Sequence, residues 1–163
     1  YNEENHVAGN QGPGVMTGTE MSLSTAKFGK NIYFRTHVEV SGNAGWGIFS
    51  SLGNAVINGY DYETQGRLSP FTSYVKENGD TSLSCYVVNK KGYLSRLKKY
   101  STGGIACGEN MAGYDLEVTD NSGTGIKVLN DLYMDTGKVC GNSEANLSVT
   151  GDIVSITDVE VCE

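Results

Sequence analysis

The chain has 163 residues, with 12 basic and 19 acidic side chains and a net charge of −7. Such a length suits one domain. The acidic balance argues against general nucleic-acid binding, which needs a basic footprint to displace counterions. Its apolar runs, such as Gly45–Phe49 and Cys85–Val88, are strand-sized and fall well short of the roughly 18 residues of a membrane-spanning helix.

Residues 1–20 read as a flexible N-terminal segment, because Gly9, Gly12, Pro13, Gly14 and Gly18 interrupt any regular element. Residues 21–163 read as a single β domain. Asn31–Val40 alternates, with Ile32, Phe34, Thr36, Val38 and Val40 on one face and Tyr33, Arg35, His37 and Glu39 on the other. Strands are also expected at Gly45–Ser50, Asn54–Tyr62 and Arg67–Val75, the last with Pro70 marking an edge or a bulge. Asn78-Gly79-Asp80 reads as a hairpin turn, since Asn-Gly accepts positive φ cheaply. It leads into Thr81–Val88, and Asn89-Lys90-Lys91-Gly92 turns into Tyr93–Leu97. Tyr114–Thr119, Asp120-Asn121-Ser122-Gly123 and Gly125–Leu129 read as a second hairpin. Leu147–Val149 and Ile153–Val161 close the domain, with a change of apolar phase at Thr157-Asp158 that suggests a bulge or a bend between sheets. About ten short strands with frequent turns predict an all-β fold, an antiparallel β-sandwich or small β-barrel. No internal repeat is read from the chain; the residues inside the two equal cysteine gaps do not match each other.

Cys85, Cys107, Cys140 and Cys162 are separated by 22, 33 and 22 residues. No C-x-x-C pair marks a zinc site. Two disulfides are expected, and the equal gaps favour Cys85–Cys107 with Cys140–Cys162. Disulfides place the protein in an oxidising compartment, secreted or at a cell surface. Asn146-Leu147-Ser148 is a glycosylation sequon, of little weight in a chain rich in Asn and Ser.

No catalytic motif stands out. There is no G-x-S-x-G, and the two histidines are His6 and His37. His37 beside Glu39 on a strand face, or Asp61 between Tyr60 and Tyr62, would be the residues of a carboxylate hydrolase. Asp120-Asn121 and Asp131 with Asp135 could offer oxygen ligands to calcium, but Asp and Asn in turns cap the turn itself. No cofactor or metal is expected.

The sharpest local feature is charge. Lys90, Lys91, Arg96, Lys98 and Lys99 are five of the twelve basic residues, with Tyr86, Tyr93 and Tyr100 interleaved and no acid among them. Past Cys107 there are eleven acids and only Lys127 and Lys138. A basic-aromatic patch of this kind suits anionic glycans, phosphate groups or an acidic protein surface. Candidate contact residues are Lys90, Lys91, Tyr93, Arg96, Lys98, Lys99 and Tyr100. Trp46, between Gly45 and Gly47, is a second candidate as a sugar-stacking platform, although a core tryptophan fits the same pattern.

Leu83-Ser84-Cys85, Cys107-Gly108-Glu109-Asn110, Asp115 and Asp120 on an alternating strand, Ser122-Gly123 before Ile126–Val128, and Val161-Cys162 together resemble the Alternaria major-allergen family of secreted fungal β-barrel proteins. The resemblance covers the C-terminal half. It implies a disulfide-stapled barrel acting as an allergen-like or effector-like protein, and it transfers no functional residue. The expected function is a secreted, non-catalytic recognition protein, lectin-, adhesin- or effector-like, binding a glycan or a protein surface. A small hydrolase and a structural subunit of a surface assembly are the alternatives.

Overall fold

The computed structural model describes residues 6–10, 13–17, 32–34, 37–50, 53–57, 60–61, 66–67, 71–79, 86–88, 94–96 and 102–163. Two parallel sheets carry the fold. One has eight strands: β1 (His6–Ala8), β3 (Ile32–Phe34), β4 (Glu39–Ser41), β6 (Ala55–Ile57), β9 (Ser73–Lys76), β13 (Met111–Thr119), β15 (Leu132–Cys140) and β17 (Ile153–Val161). The other has five: β2 (Val15–Thr17), β5 (Ile48–Ser50), β12 (Gly103–Cys107), β14 (Thr124–Val128) and β16 (Leu147–Val149). Two short antiparallel pairs stand apart, β7 (Tyr60–Asp61) with β8 (Gly66–Arg67) and β10 (Tyr86–Val88) with β11 (Leu94–Arg96). None of the described residues forms a helix long and apolar enough to cross a membrane.

The expected antiparallel sandwich or barrel is thus overturned. Within the two sheets, consecutive strands do not pair with each other. β13 passes to β14 in the other sheet, and the chain returns to lay β15 parallel beside β13, with Met111 on Leu132 and Val118 on Val139. β14 lies beside β12 in the same way, Ile105 on Ile126. A parallel neighbour needs a crossover of a dozen or more residues. Here the crossover is a strand of the second sheet, so the chain winds as a β-solenoid with a coil of about 21 residues, as Val118 to Val139 shows. Tyr114–Thr119 and Gly125–Leu129 therefore lie in different sheets on either side of a corner, not in a hairpin, and Ser73–Lys76 pairs with β13 and β4, while residues 80–85 of the other expected hairpin lie outside the described residues. Asn31–Val40 is likewise divided, into β3 and β4, which belong to two different faces.

Those two faces arise because the larger sheet is bent. β13, β15 and β17 each contain a residue at positive φ: Asp115 (50°), Thr136 (59°) and Asp158 (51°). The first half of β13 pairs with β6 and the second half with β9. The phase change at Thr157-Asp158 is this bend. Each full coil thus has three flat sides, and inward side chains stack in columns. Val7, Val40, Val75, Val118, Val139 and Val161 form one. Val15, Ile48, Ile105, Ile126 and Leu147 form another. Ile48, Ile105, Ile126, Leu132, Met134 and the central valines are wholly buried, each contributing about 1.5–3 kcal/mol of apolar burial.

One corner holds the stack together. Gly9, Gly42, Glu77, Asp120 and Gly141 all take positive φ, and each is followed by an asparagine. Asn43 Nδ2 donates to Asn78 Oδ1 (2.8 Å), Asn78 Nδ2 to Asn121 Oδ1 (3.0 Å), and Asn121 Nδ2 to Asn142 Oδ1 (2.9 Å). Each amide also donates to a carbonyl of the preceding coil, as Asn121 Nδ2 does to Val75 O (3.0 Å). Backbone N–H groups join in, Asn78 N donating to Asn121 Oδ1 (3.0 Å). Asn10 begins this ladder and Asn146 completes it, accepting from Asn142 and donating to Cys162 O (2.8 Å). Opposite the ladder lie Gly14, Gly47, Gly104 and Gly125, where an added Cβ would come within 2.5–2.9 Å of a ladder amide nitrogen.

The sequence repeat is therefore real, contrary to the expectation of none: VAGNQGPGV (7–15), VSGNAGWGI (40–48), VTDNSGTGI (118–126) and VCGNSEANL (139–147) are the same corner. His6–Ala8 and Val15–Thr17, within the N-terminal stretch expected to be flexible, pair with β4 and β5 as rungs.

Asn121 is 1% exposed. Asn121→Ala leaves Asn78 N, Asn78 Nδ2 and Val75 O buried without it, so it should cost about 3 kcal/mol or more in urea unfolding. Asn130→Ala, which removes an exposed amide contact with Asn110, should cost less than about 1 kcal/mol. Equal costs would refute the role assigned to the ladder.

Candidate functional site

The basic-aromatic patch falls mostly outside the described residues: Lys90, Lys91, Tyr93, Lys98, Lys99 and Tyr100 are not among them. Arg96 is placed by its backbone at the end of β11, where it pairs with Tyr86. What the structure does describe is the base of this segment. It leaves the solenoid just after ladder residue Asn78 and rejoins it just before β12. Thr102 Oγ1 donates to Gly79 O (3.4 Å) and to Ser122 O (2.8 Å), and Thr124 N donates to Thr102 O (3.1 Å). Departure and return are held at one corner. The equivalent step in the next coil, Asn121 to Gly125, needs only Ser122, Gly123 and Thr124. Residues 80–101 are thus an insertion, a basic arm in sequence terms, whose described part is the β10–β11 pair. β7 and β8 form a similar addition at the bend between β6 and β9.

Trp46 is not on the surface. It is 7% exposed, and an added Cβ at Gly103 would lie 2.8 Å from its Cζ3. The small neighbours let the ring settle onto the next coil's backbone, which corrects its assignment as a stacking platform.

The expected two disulfides are also corrected. Cys140 and Cys162 are bonded, with Cα atoms 4.9 Å apart. Their 22-residue gap is one turn of the solenoid, which sets the two residues side by side on neighbouring rungs. Cys107 is a free, buried thiol that donates to Gly53 O (3.0 Å) and Asn110 O (3.2 Å), so the Cys85–Cys107 bridge does not form. Burial pushes its pKa up, keeping it a neutral thiol rather than a nucleophile. Cys85 lies outside the described residues.

Of the hydrolase candidates, Glu39 is committed to an ion pair with Lys76 Nζ (3.1 Å) and a contact with His6 Nδ1 (3.3 Å). The hydrogen bond to Glu39 raises the Lys76 pKa, and that ammonium also sits 5.3 Å from the Tyr74 ring centroid. His37 packs its ring against Phe71, with centroids 5.4 Å apart. The side chain of Asp61 is not described.

The acids considered for calcium have structural work. Asp120 makes the ladder corner. Asp131 belongs to a second, outer ladder at the next corner: Asn110 N donates to Asn54 Oδ1 (3.0 Å), Asp131 N to Asn110 Oδ1 (3.2 Å) and Asp152 N to Asp131 Oδ1 (3.1 Å). Cys140, Glu160 and Cys162 lie close together, but both sulfurs are in the disulfide. The sequon residue Asn146 is the last member of the inner ladder, its Nδ2 held by Cys162 O.

Beside the outer ladder runs a groove of about 420 Å³, lined mostly by apolar residues such as Ile32, Val56 and Val154, with Asn54, Asn110, Asp131 and Tyr133 also in the lining. Sequence reasoning missed it because its members are far apart in the chain. The signal was there in Asn110, Asp131 and Asp152, polar residues at a 21-residue period.

No protein-family model, curated protein or solved structure matches the chain. The barrel implied by the allergen-family resemblance is not the fold found. The Cys-Gly-Glu-Asn stretch, 107–110, is the corner where β12 turns toward β13.

The terminal coil leaves Ile153, Val154 and Val161 exposed. Reducing Cys140–Cys162 removes a 22-residue closure worth about 3 kcal/mol. Amide exchange should accelerate in 147–161 while 103–119 stays protected, since coils of a solenoid depend on their nearest neighbours. Uniform acceleration throughout would refute a local clasp.

Proposed function

We propose that the protein is a secreted, non-catalytic recognition protein whose solenoid is a rigid mount for a basic binding arm. The observation that carries this reading is the arm itself. Residues 80–101 hold five basic residues and one acid, Asp80; the other seven bases share the rest of the chain with eighteen acids. An addition that leaves the Asn78–Asn121 ladder bond intact contributes nothing to closing the coil. Binding residues are commonly carried on such loops, positioned by a rigid scaffold. The arm's charge suits a polyanion, such as a sulfated glycan, and the acidic solenoid discourages nonspecific wrapping. The Cys140–Cys162 disulfide is in keeping with an oxidising, extracellular setting.

A sulfated-glycan array at low and physiological salt tests this. Binding should be selective and should weaken with salt, and Lys98→Glu with Lys99→Glu should reduce it tenfold or more at unchanged melting temperature. Full binding by the double variant would overturn the assignment.

A further inference from the structure

We infer a second binding site in the groove beside the outer ladder, built for a neutral oligosaccharide and independent of the basic arm. Along this face the outward column reads Val56, Ala112, Tyr133 and Ser155 on successive rungs. Val56 and Ala112 are small, so the sheet surface dips. Tyr133 closes the dip on one side, its ring steadied by Tyr114 at 5.5 Å between centroids. Rungs are about 4.8 Å apart, so two or three of them span a disaccharide-sized length. A volume of about 420 Å³ lies within the range of small-molecule sites.

The chemistry of the lining selects the occupant. One rim is polar and periodic: Asn54, Asn110 and Asp131. The Oδ1 atoms of Asn110 and Asp131 are used in the ladder, accepting from Asp131 N and Asp152 N. That fixes both side chains and leaves the Asn110 amide as a donor and the second Asp131 oxygen as an acceptor, matching the hydroxyls of a sugar. The floor and the tyrosine wall suit the C–H face of a pyranose ring. Among the described residues Asp131 is the one charged residue in the lining, and no cation lines the groove beside it, so a sulfated or uronate sugar is disfavoured. The floor itself offers a strand-forming peptide no edge, since β6, β13 and β15 are each paired on both sides.

Isothermal titration with cellohexaose, mannohexaose and chitohexaose tests the site. At least one should bind at millimolar concentration or better. Ala112→Tyr, which fills the dip from an outward position, should weaken that binding at least tenfold, as should Tyr133→Ala, with the melting temperature of each variant near that of the parent. Lys98→Glu with Lys99→Glu should leave it unchanged, which separates this site from the arm. Failure of all three hexaoses to bind, or undiminished binding by folded Ala112→Tyr, would overturn the inference.

Discussion

Every coil of this protein must turn a sharp corner in its interior, and a corner strands backbone and amide groups away from water. A buried polar group without a partner costs more than a typical hydrogen bond gains. The asparagine ladder meets that constraint by sharing. Each carboxamide accepts from the N–H and the amide of one coil, and donates to a carbonyl of that coil and to the next carboxamide, as Asn121 does with Asn78, Val75 and Asn142. No shorter or apolar residue supplies both functions at one position. The same geometry demands glycine across the corner, since a Cβ at Gly47 or Gly125 would displace the ladder amide. It also demands a left-handed residue just before each asparagine, a place filled by Gly42 and Gly141 without strain and by Glu77 and Asp120 at some steric cost.

Once the corners are fixed, the register of both sheets follows. A one-residue slip would break the ladder and turn the valine column outward. The parallel sheets need no covering helices, because each flat side of the coil is covered by the other two. The outward side chains are then free of packing duties over much of the surface. That freedom lets the coil accept large additions at its corners, as between Gly79 and Thr102, and lets small residues such as Val56 and Ala112 open a groove beside a tyrosine. Charge follows the same division. The arm has five bases to one acid while the rest of the chain has eighteen acids to seven bases, so the two suit different ligands.

Strand character and facing were legible in the chain. Ile32, Val38 and Val40 point inward as alternation predicts, and Thr157-Asp158 marks a bend. Partnership was not legible, because alternation states which side chains are buried and is silent on what lies beside the strand. Asn78-Gly79 and Asp120-Asn121 looked like hairpin turns because a solenoid corner uses the same left-handed residues as a hairpin. The repeat was concealed by its own additions: the ladder asparagines 43, 78 and 121 are unequally spaced, and only 121 and 142 show the bare period. Comparing the corners themselves, VSGNAGWGI with VTDNSGTGI, reveals what comparing the cysteine gaps did not.

By itself, the amino-acid sequence determined the β content, the inward faces and the charge contrast between arm and body; its equal cysteine gaps favoured Cys140–Cys162, but favoured Cys85–Cys107 on the same ground. Tertiary structure alone decided that the strands run parallel, that Cys107 stays a thiol, that Trp46 is interior, and that Asn54, Asn110 and Asp131 rim one groove. The physical reason is range. Burial pattern and charge are properties of neighbouring residues, whereas parallel pairing and a shared groove join residues one or more coils apart, whose distance is set only when the ladder closes.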